Sequence, residues 1–271
     1  MPTIHAMTND EIRTAAPAVL AVSKHGSASE RYAFISSERV LDAMRLAGFM
    51  PVAAKQSGSR TDEARGFTKH MVRFRHADAD AKQVGDCVPE VVLVNAHDRT
   101  STYQLMAGLF RLVCLNGLVV STGFCETLKI RHVGDVSEKV VDGSRLVMEH
   151  SVRSLEAVRD WTKLTLGTND RMGFARAALA LRFGETPPIR ADQLLEARRP
   201  EDRGVDLWTT FNVIQENVLR GGLHGTVEDP TVRGGRRVVT SRAVRHISGD
   251  LSLNRKLWAI AADFAALKKA A

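Results

Sequence analysis

The chain has few cysteines and few aromatic residues. Only Cys87, Cys114 and Cys125 occur among its 271 residues, and each lies in or beside apolar sequence. An odd number of cysteines in such surroundings is typical of reduced, buried thiols and argues against a disulfide framework. Aromatic residues make up 6% of the chain, so we do not expect nucleic-acid bases to stack extensively on its side chains.

Long apolar runs are also missing. No stretch approaches the roughly 18 consecutive apolar residues that a membrane-spanning helix requires. The first short apolar patch follows Asp10 and Glu11, which is unlike a secretory signal peptide. We therefore predict a cytoplasmic protein that does not enter a membrane. Hydrophobic residues still form 44% of the chain, which is enough to bury the core of one large domain or two small ones.

The motifs of nucleotide binding and of common catalysis are absent too. Neither Gly-x-x-x-x-Gly-Lys-Ser/Thr nor Gly-x-Gly-x-x-Gly occurs, and Ser121 does not stand in a Gly-x-Ser-x-Gly sequence. Cys114 and Cys125 lack the close pairing of cysteines that structural zinc sites use. The sequence therefore predicts no cofactor, no metal site and no catalytic residue, and it favours a protein that is not an enzyme without deciding the matter.

Positive charge is abundant and unevenly placed. The formal net charge is +7, which favours an acidic partner. Seven basic residues and one acidic residue lie between Arg233 and Lys256, so this segment holds six of the excess charges. A second basic cluster runs from Arg65 to His76. The rest of the chain is close to balanced.

The segment Val232–Val238, with the sequence VRGGRRV, joins arginines to glycines. Guanidinium groups bind phosphates through paired N–H donors, and glycines let the backbone approach a ligand closely. Arg242 and Arg245 follow at a spacing of one helical turn. The segment is either a surface that follows a phosphate backbone or a solvated basic loop between two helices.

The first half of the chain predicts a sheet. Short β-branched apolar runs alternate with polar turns, and Glu90–Asn95 and Ser101–Leu105 predict a hairpin. The residues after this hairpin, Leu109–Leu115, predict a short buried helix that ends at Asn116–Gly117, unless Asn116–Gly117 is the turn between two strands. Further strands are predicted at three segments: Phe49–Ala54, His70–His76 and Thr127–His132.

Alternation along these strands predicts which side chains share a face. Met71, Arg73 and Arg75 lie on one face of their strand, and His70, Val72, Phe74 and His76 lie on the other. Lys129 and Arg131 project opposite Leu128 and Ile130, and their face is expected to be wet.

The second half of the chain predicts helices, because apolar residues recur at spacings of three and four. Asp206 is expected to cap the clearest helix and Gly221 to end it. The predicted helices are Glu138–Leu166, Asn169–Phe183, Ala191–Arg198, Asp206–Arg220 and Ser252–Lys268. An amphipathic helix is also expected after Ser36.

Strands first and helices later predict an α+β fold, with an antiparallel or mixed sheet of about four or five strands and a helical C-terminal lobe. Residues 1–30 show little periodicity and predict a flexible N-terminal arm. Residues 31–271 predict a single domain whose C-terminal half, from about residue 137, is helical.

Long ordered phrases in the chain resemble a known family. The phrases PEVVLVNAHDRTSTYQ, GLFRLVCLNGLV and LKIRHVGDV are similar to the signature of the phage- and plasmid-associated "domain of unknown function 932" family. The likeness covers roughly residues 30–265. It continues in the phrases LRFG (181–184), DLWTTF (206–211), QEN (215–217), GGL (221–223), TSRAVR (240–245) and NRKLW (254–258). The resemblance implies that the protein belongs to a mobile genetic element, but it does not imply a defined mechanism.

Our leading hypothesis is a nucleic-acid-binding protein of a mobile element that favours single-stranded DNA, as an annealing or recombination accessory factor. The hairpin, inserted helix and helical lobe resemble the phage single-strand annealing superfamily in outline, which is a likeness of folds alone. A homo-oligomer is a further expectation. The expected binding residues are Arg73, Arg75, Lys129, Arg131, Arg233, Arg236, Arg237, Arg242 and Arg245.

Two alternatives remain open at this stage. The chain could be a protein-interaction module of a phage or plasmid whose basic loop meets an acidic host protein. It could also be a metal-dependent nuclease that uses Asp98, Glu90 and His97, although an aspartate at a hairpin tip more often bonds its own backbone. Trp208 could stack on a base, whereas Phe211 and Trp258 are expected in the core.

Overall fold

A computed structural model gives the architecture of the chain. Two compact units are present, Met1–Leu155 and Glu156–Ala271. The structure describes residues 5–21, 36–59, 61–84, 86–98, 101–111, 117–119, 127–130 and 136–270.

The first unit combines a sheet with helices that precede and follow it. Short 3-10 helices lie at Pro17–Leu20 and Asp80–Lys82. The helices and strands are α1 (Asn9–Ala15), α2 (Ser37–Leu46), β1 (Phe49–Gln56), α3 (Asp62–Arg65), β2 (His70–His76), β3 (Cys87–Asn95), β4 (Tyr103–Arg111), β5 (Gly117–Val119), β6 (Leu128–Ile130) and most of α4 (Val136–Trp161).

The sheet is antiparallel throughout its described pairings. Strands β1, β2, β3 and β4 follow one another in sequence order, and β5 and β6 pair with different parts of β4. Every residue of β3 is buried, so this central strand is covered on both faces. The predicted α+β class and the predicted hairpin of β3 and β4 are confirmed.

The predicted helix after this hairpin is wrong where the structure describes it. Strand β4 runs on through Leu109 to Arg111, and Gly117 pairs with Phe110. This pairing agrees with the alternative of two strands around Asn116–Gly117. A short apolar run does not by itself distinguish a buried strand from a buried helix, and here β3 supplies the partner that selects the strand. Residues 112–116 lie outside the described residues.

The stretch before residue 30 contains a packed helix where periodicity predicted none. Thr8 and Glu11 form a capping box at the start of α1, and Ile12 is buried. The Met7 N–H donates to the Pro51 carbonyl at 2.7 Å, and the Ala18 N–H donates to Gln56 Oε1 at 2.9 Å. Residues 5–21 are thus tied to β1, and the flexibility of the whole arm stays a prediction.

The second unit is largely helical, with one two-stranded sheet. Two short 3-10 helices, Asp192–Leu195 and Pro200–Asp202, lie between its long helices. Its elements are the end of α4, α5 (Thr168–Phe183), α6 (Leu207–Arg220), β7 (His224–Glu228), β8 (Arg236–Thr240) and α7 (Ile247–Ala270).

Helix α6 lies in the core of this unit. The Asp206 carboxylate accepts from the Thr209 N–H at 2.8 Å, and Gly221 follows the helix with φ of +64°, so both predicted ends are confirmed. Nearly all residues from Leu207 to Val218 are buried. Trp208 belongs to the aromatic core with Trp161 and Phe211, which makes it unavailable to stack on a base.

The predicted helix Ala191–Arg198 is wrong, because only the four residues Asp192–Leu195 are helical, and they form a 3-10 helix. The side chain of Asn217 on α6 explains the difference. Its Nδ2 donates to the carbonyls of Leu194 at 3.1 Å and Glu196 at 3.0 Å. Because a neighbouring helix satisfies these carbonyls, the segment does not need to continue as a helix.

The described helices include none that is long and apolar enough to cross a membrane.

Candidate nucleic-acid interface

The arginine-rich segment is a β-hairpin rather than a loop between two helices. Strand β7 pairs with β8 in antiparallel register, from His224 opposite Thr240 to Glu228 opposite Arg236. The β-branched residues of β8, Val238 to Thr240, favour this extended form. Helical periodicity does not reveal the hairpin, but the repeated valines and the Gly-Gly pair are its signal in the sequence.

The hairpin turn depends on its two glycines. Gly234 and Gly235 have φ of +96° and +68°, which side-chain-bearing residues rarely adopt. The Gly235 N–H donates to the Val232 carbonyl at 3.0 Å, and the Asp229 N–H donates to the Gly235 carbonyl at 2.9 Å. The turn therefore holds Arg233 at the tip and begins β8 at Arg236.

Arg233, Arg236 and Arg237 are all exposed on this hairpin. Arg237 Nε lies 3.1 Å from Asp229 Oδ2. The hydrogen bond from the Thr231 hydroxyl is the main reason that the pKa of Asp229 is lowered, and Arg237 adds to it. The Arg233 and Arg236 side chains have no ion pair among the described residues. Their charges are available to an anion from solution.

Arg242 and Arg245 follow the hairpin in a segment without regular secondary structure, residues 241–246. Backbone hydrogen bonds hold this segment in place. The Ser241 N–H donates to the Leu223 carbonyl and the Gly222 N–H to the Ser241 carbonyl, both at 2.8 Å. The segment is thus fixed to the end of α6.

The segment borders a cavity. Its volume is about 600 Å³, and its lining includes Arg242, Ala243, Arg245 and His246. Both arginines and the histidine are exposed to solvent. The two arginines and the histidine therefore place hydrogen-bond donors beside a concave surface.

Arg73 and Arg75, the predicted binding residues on β2, are engaged inside the first unit. Arg73 Nε lies 2.8 Å from Glu90 Oε2, and Arg75 Nη2 lies 2.9 Å from Glu90 Oε1. Only 1% of the Glu90 side chain is exposed. Both guanidinium groups also lie over the Phe110 ring, at 4.2 and 5.2 Å from its centroid. These two arginines neutralise a buried carboxylate and present little surface to a phosphate.

Lys129 and Arg131 differ in what the structure describes of them. Lys129 is exposed on β6 opposite Gln104, and Leu128 and Ile130 alternate with it as predicted. Arg131 lies outside the described residues. Lys129 belongs to the first unit, whereas the five arginines from Arg233 to Arg245 belong to the second.

The residues of the nuclease alternative have other partners. Glu90 binds the two arginines of β2, and His97 Nε2 lies 3.2 Å from Ser37 Oγ. Asp98 is half-buried just beyond β3. Within the described ranges, no three histidine, cysteine, aspartate or glutamate side chains are grouped so that they could hold a metal ion.

A buried polar cluster surrounds His97, and the sequence did not reveal it. Ser37 Oγ also lies 3.0 Å from the Tyr103 hydroxyl, and the His70 and His97 rings are 5.0 Å apart. Burial lowers the pKa of His70 to about 4, although a hydrogen bond to the Thr68 carbonyl opposes the shift. His70 is therefore neutral at physiological pH, and it is buried together with Val72 and Phe74, with which the alternation of β2 had grouped it.

Comparison with known proteins gives relatives whose names state no activity. The chain is 41% identical over 256 residues to the UPF0380 proteins YfjQ and YafZ of Escherichia coli strain K12, which covers 94% of this chain and 90% of each relative. No solved structure matches it. The family model described as "Domain of unknown function (DUF932)" matches residues 24–258. This match spans most of the sequence and includes both units, so the chain belongs to the DUF932 family.

Proposed function

We propose that this protein binds nucleic acid, with a preference for single-stranded DNA, through the arginines of the second unit. The observation that carries the proposal is a concentration of exposed guanidinium groups on a hairpin and the segment that continues it. We call this set the arginine surface: Arg233, Arg236, Arg237, Arg242 and Arg245.

The size of the arginine surface suits a phosphate backbone. Strand β8 has five residues, so about 17 Å of chain separates the tip from the base of the hairpin. Phosphates recur about every 3.4 Å of axis along one strand of a duplex and are spaced more widely along an extended single strand, so a track of this length meets more than one of them. Arginine forks bind such oxygens in pairs.

One apolar side chain favours a single strand over a duplex. Val238 is 72% exposed, and it lies two residues from Arg236 on the same face of β8. Base faces are accessible in a single strand, whereas in a duplex they are covered by stacking. An exposed valine beside an arginine therefore contacts a base in a single strand while the arginine holds the phosphate.

The test is fluorescence anisotropy of a labelled oligonucleotide, single-stranded and duplex in parallel. We expect tighter binding to the single strand. Replacing Arg236 and Arg237 together with alanine is expected to weaken it about tenfold near 0.1 M salt, because two phosphate contacts are lost. The hairpin should persist in this variant, since Thr231 still donates to Asp229.

The matched control replaces Arg159 and Arg176, two exposed arginines on α4 and α5, with alanine. It removes the same charge and should leave the affinity within about twofold of the parent protein. Equal losses in the two double variants would mean that net charge alone drives binding. Tighter duplex binding would remove the single-strand preference, and no binding at low salt would leave the arginine surface to an acidic protein partner.

A further inference from the structure

The cavity beside residues 241–246 differs from the rest of the arginine surface. The hairpin presents its arginines on an open ribbon, whereas Arg242, Arg245 and His246 border a cavity of about 600 Å³. The cavity is half open, and its volume lies in the range of pockets that hold a small ligand, roughly 300 to 1,000 Å³. The end of a strand can enter such a concavity, whereas the open ribbon offers it no recess.

The backbone of the segment is held in place before any ligand arrives. The Val244 N–H donates to the Leu219 carbonyl at 2.8 Å, and Arg182 Nη2 donates to the Arg242 carbonyl at 3.2 Å. Gly221 allows this close packing, because a Cβ there would lie 2.6 Å from the Ser241 carbonyl oxygen. A binding segment that is already ordered loses little entropy when its ligand binds.

The donors at the cavity match a doubly charged phosphate. Two guanidinium groups supply two positive charges and paired N–H donors, and the His246 ring offers an N–H in either protonation state. A phosphate inside a strand is a diester with one negative charge. A phosphate at the end of a strand is a monoester with about 1.5 to 2 negative charges at pH 7 and three free oxygens.

From this match we infer that the cavity binds the terminal phosphate of a nucleic-acid strand. The inference rests on the proposed function, because the arginine surface holds the remainder of the strand. Arg242 and Arg245 would then select strands by their ends, whereas Arg233, Arg236 and Arg237 bind phosphates inside the strand.

The experiment compares three single-stranded oligonucleotides of one sequence, with a 5′-phosphate, a 3′-phosphate, or hydroxyls at both ends. Anisotropy is measured with the label placed internally. We expect the protein to bind one of the phosphorylated strands at least about fivefold more tightly than the hydroxyl-ended strand. Whichever phosphate is preferred identifies the end that enters the cavity.

Two double variants assign the preference to its residues. Arg242→Ala with Arg245→Ala should abolish the preference and weaken binding of the hydroxyl-ended strand by no more than about tenfold, since the hairpin arginines remain. Arg236→Ala with Arg237→Ala should weaken all three strands alike and keep the preference. All four arginines are exposed, so both variants are expected to fold, and thermal unfolding checks this.

Equal binding of all three strands by the parent protein would overturn the inference and leave the proposed function standing. A preference that survives Arg242→Ala with Arg245→Ala would also overturn it, since other residues would then read the end. Absence of binding to any strand at low salt would overturn both proposals together.

Discussion

At the scale of single residues, the buried carboxylate of Glu90 holds two arginine side chains in ion pairs. Arg73 and Arg75 lie on β2, and Glu90 lies on the adjacent strand β3. All three side chains are largely withdrawn from water. A buried ion pair contributes little net stability by itself, but removing one partner leaves an uncompensated buried charge.

We therefore expect Glu90→Gln to lower the free energy of unfolding by about 3 to 5 kcal/mol. Denaturant unfolding followed by circular dichroism measures the loss. Asp10→Asn is the control, since it breaks an ion pair with Arg13 whose two side chains are mostly exposed, 59% and 91%. The control should cost less than about 1 kcal/mol. A loss of similar size in both variants would show that Arg73 and Arg75 regain water when Glu90 is neutral.

His70 makes the stability of the protein depend on pH. Its pKa is lowered from 6.5 to about 4, chiefly by burial. Between these two values the unfolded chain binds a proton that the folded chain excludes, so stability is complete above pH 6.5 and falls as the pH is lowered toward 4. The pKa difference corresponds to a loss of up to about 3 kcal/mol.

The measurement is the free energy of unfolding at several pH values from 4.5 to about 7.5. His70→Gln is expected to flatten the profile over this window, because glutamine does not titrate. An unchanged slope in that variant would assign the pH dependence to other groups.

At the scale of elements, Gly221 joins α6 to the arginine surface. Its φ is +64°, and a Cβ there would lie 2.6 Å from the Ser241 carbonyl oxygen and 2.7 Å from the Arg242 carbonyl carbon. Both neighbours are backbone atoms, so they cannot move aside cheaply. A side chain at this position would push residues 241–242 away from the end of α6.

Gly221→Ala is therefore expected to cost about 2 to 4 kcal/mol of stability and to weaken oligonucleotide binding, because it combines backbone strain with a displaced binding segment. Gly222→Ala is the matched control. Gly222 also has a positive φ, +82°, but a Cβ there would meet nothing within 4 Å. Gly222→Ala should show only the cost of backbone strain, about 1 to 2 kcal/mol of stability, with unchanged oligonucleotide binding. If both variants bind the oligonucleotide equally well, binding does not depend on the attachment of residues 241–246 to the end of α6.

At the scale of the whole molecule, the distribution of charge matters more than its total. The net charge is +7, but the first unit pairs several of its cations internally, as Arg111 does with Asp86 at 2.5 Å. In contrast, most charges of the arginine surface are available to a partner. If its five arginines each contact a phosphate of a single strand, the logarithm of the affinity should fall with the logarithm of salt concentration with a slope of about −3.5.

The same anisotropy titration at several salt concentrations gives this slope. The Arg236 and Arg237 double variant should reduce its magnitude by about 1.4, because two contacts are removed. A slope near zero would mean that the interaction does not depend on phosphate charge.

The sequence alone determined the elements whose signals are local. A short β-branched apolar run and the polar turn after it predicted the hairpin of β3 and β4, and Asp206 and Gly221 predicted both ends of α6. These predictions succeeded because turns and caps involve residues a few positions apart. The exposed face of β6 at Lys129 was predictable for the same reason.

The tertiary structure decided the features that depend on distant partners. The ion pairs with Glu90 hold Arg73 and Arg75 largely buried, and the Asn217 side chain binds carbonyls of the 3-10 helix found where a longer helix was predicted after Ala191. Pairing with β3 made Leu109–Arg111 a strand. Each of these outcomes follows from a contact between residues far apart in sequence, and local propensity carries no information about which distant partner will be near.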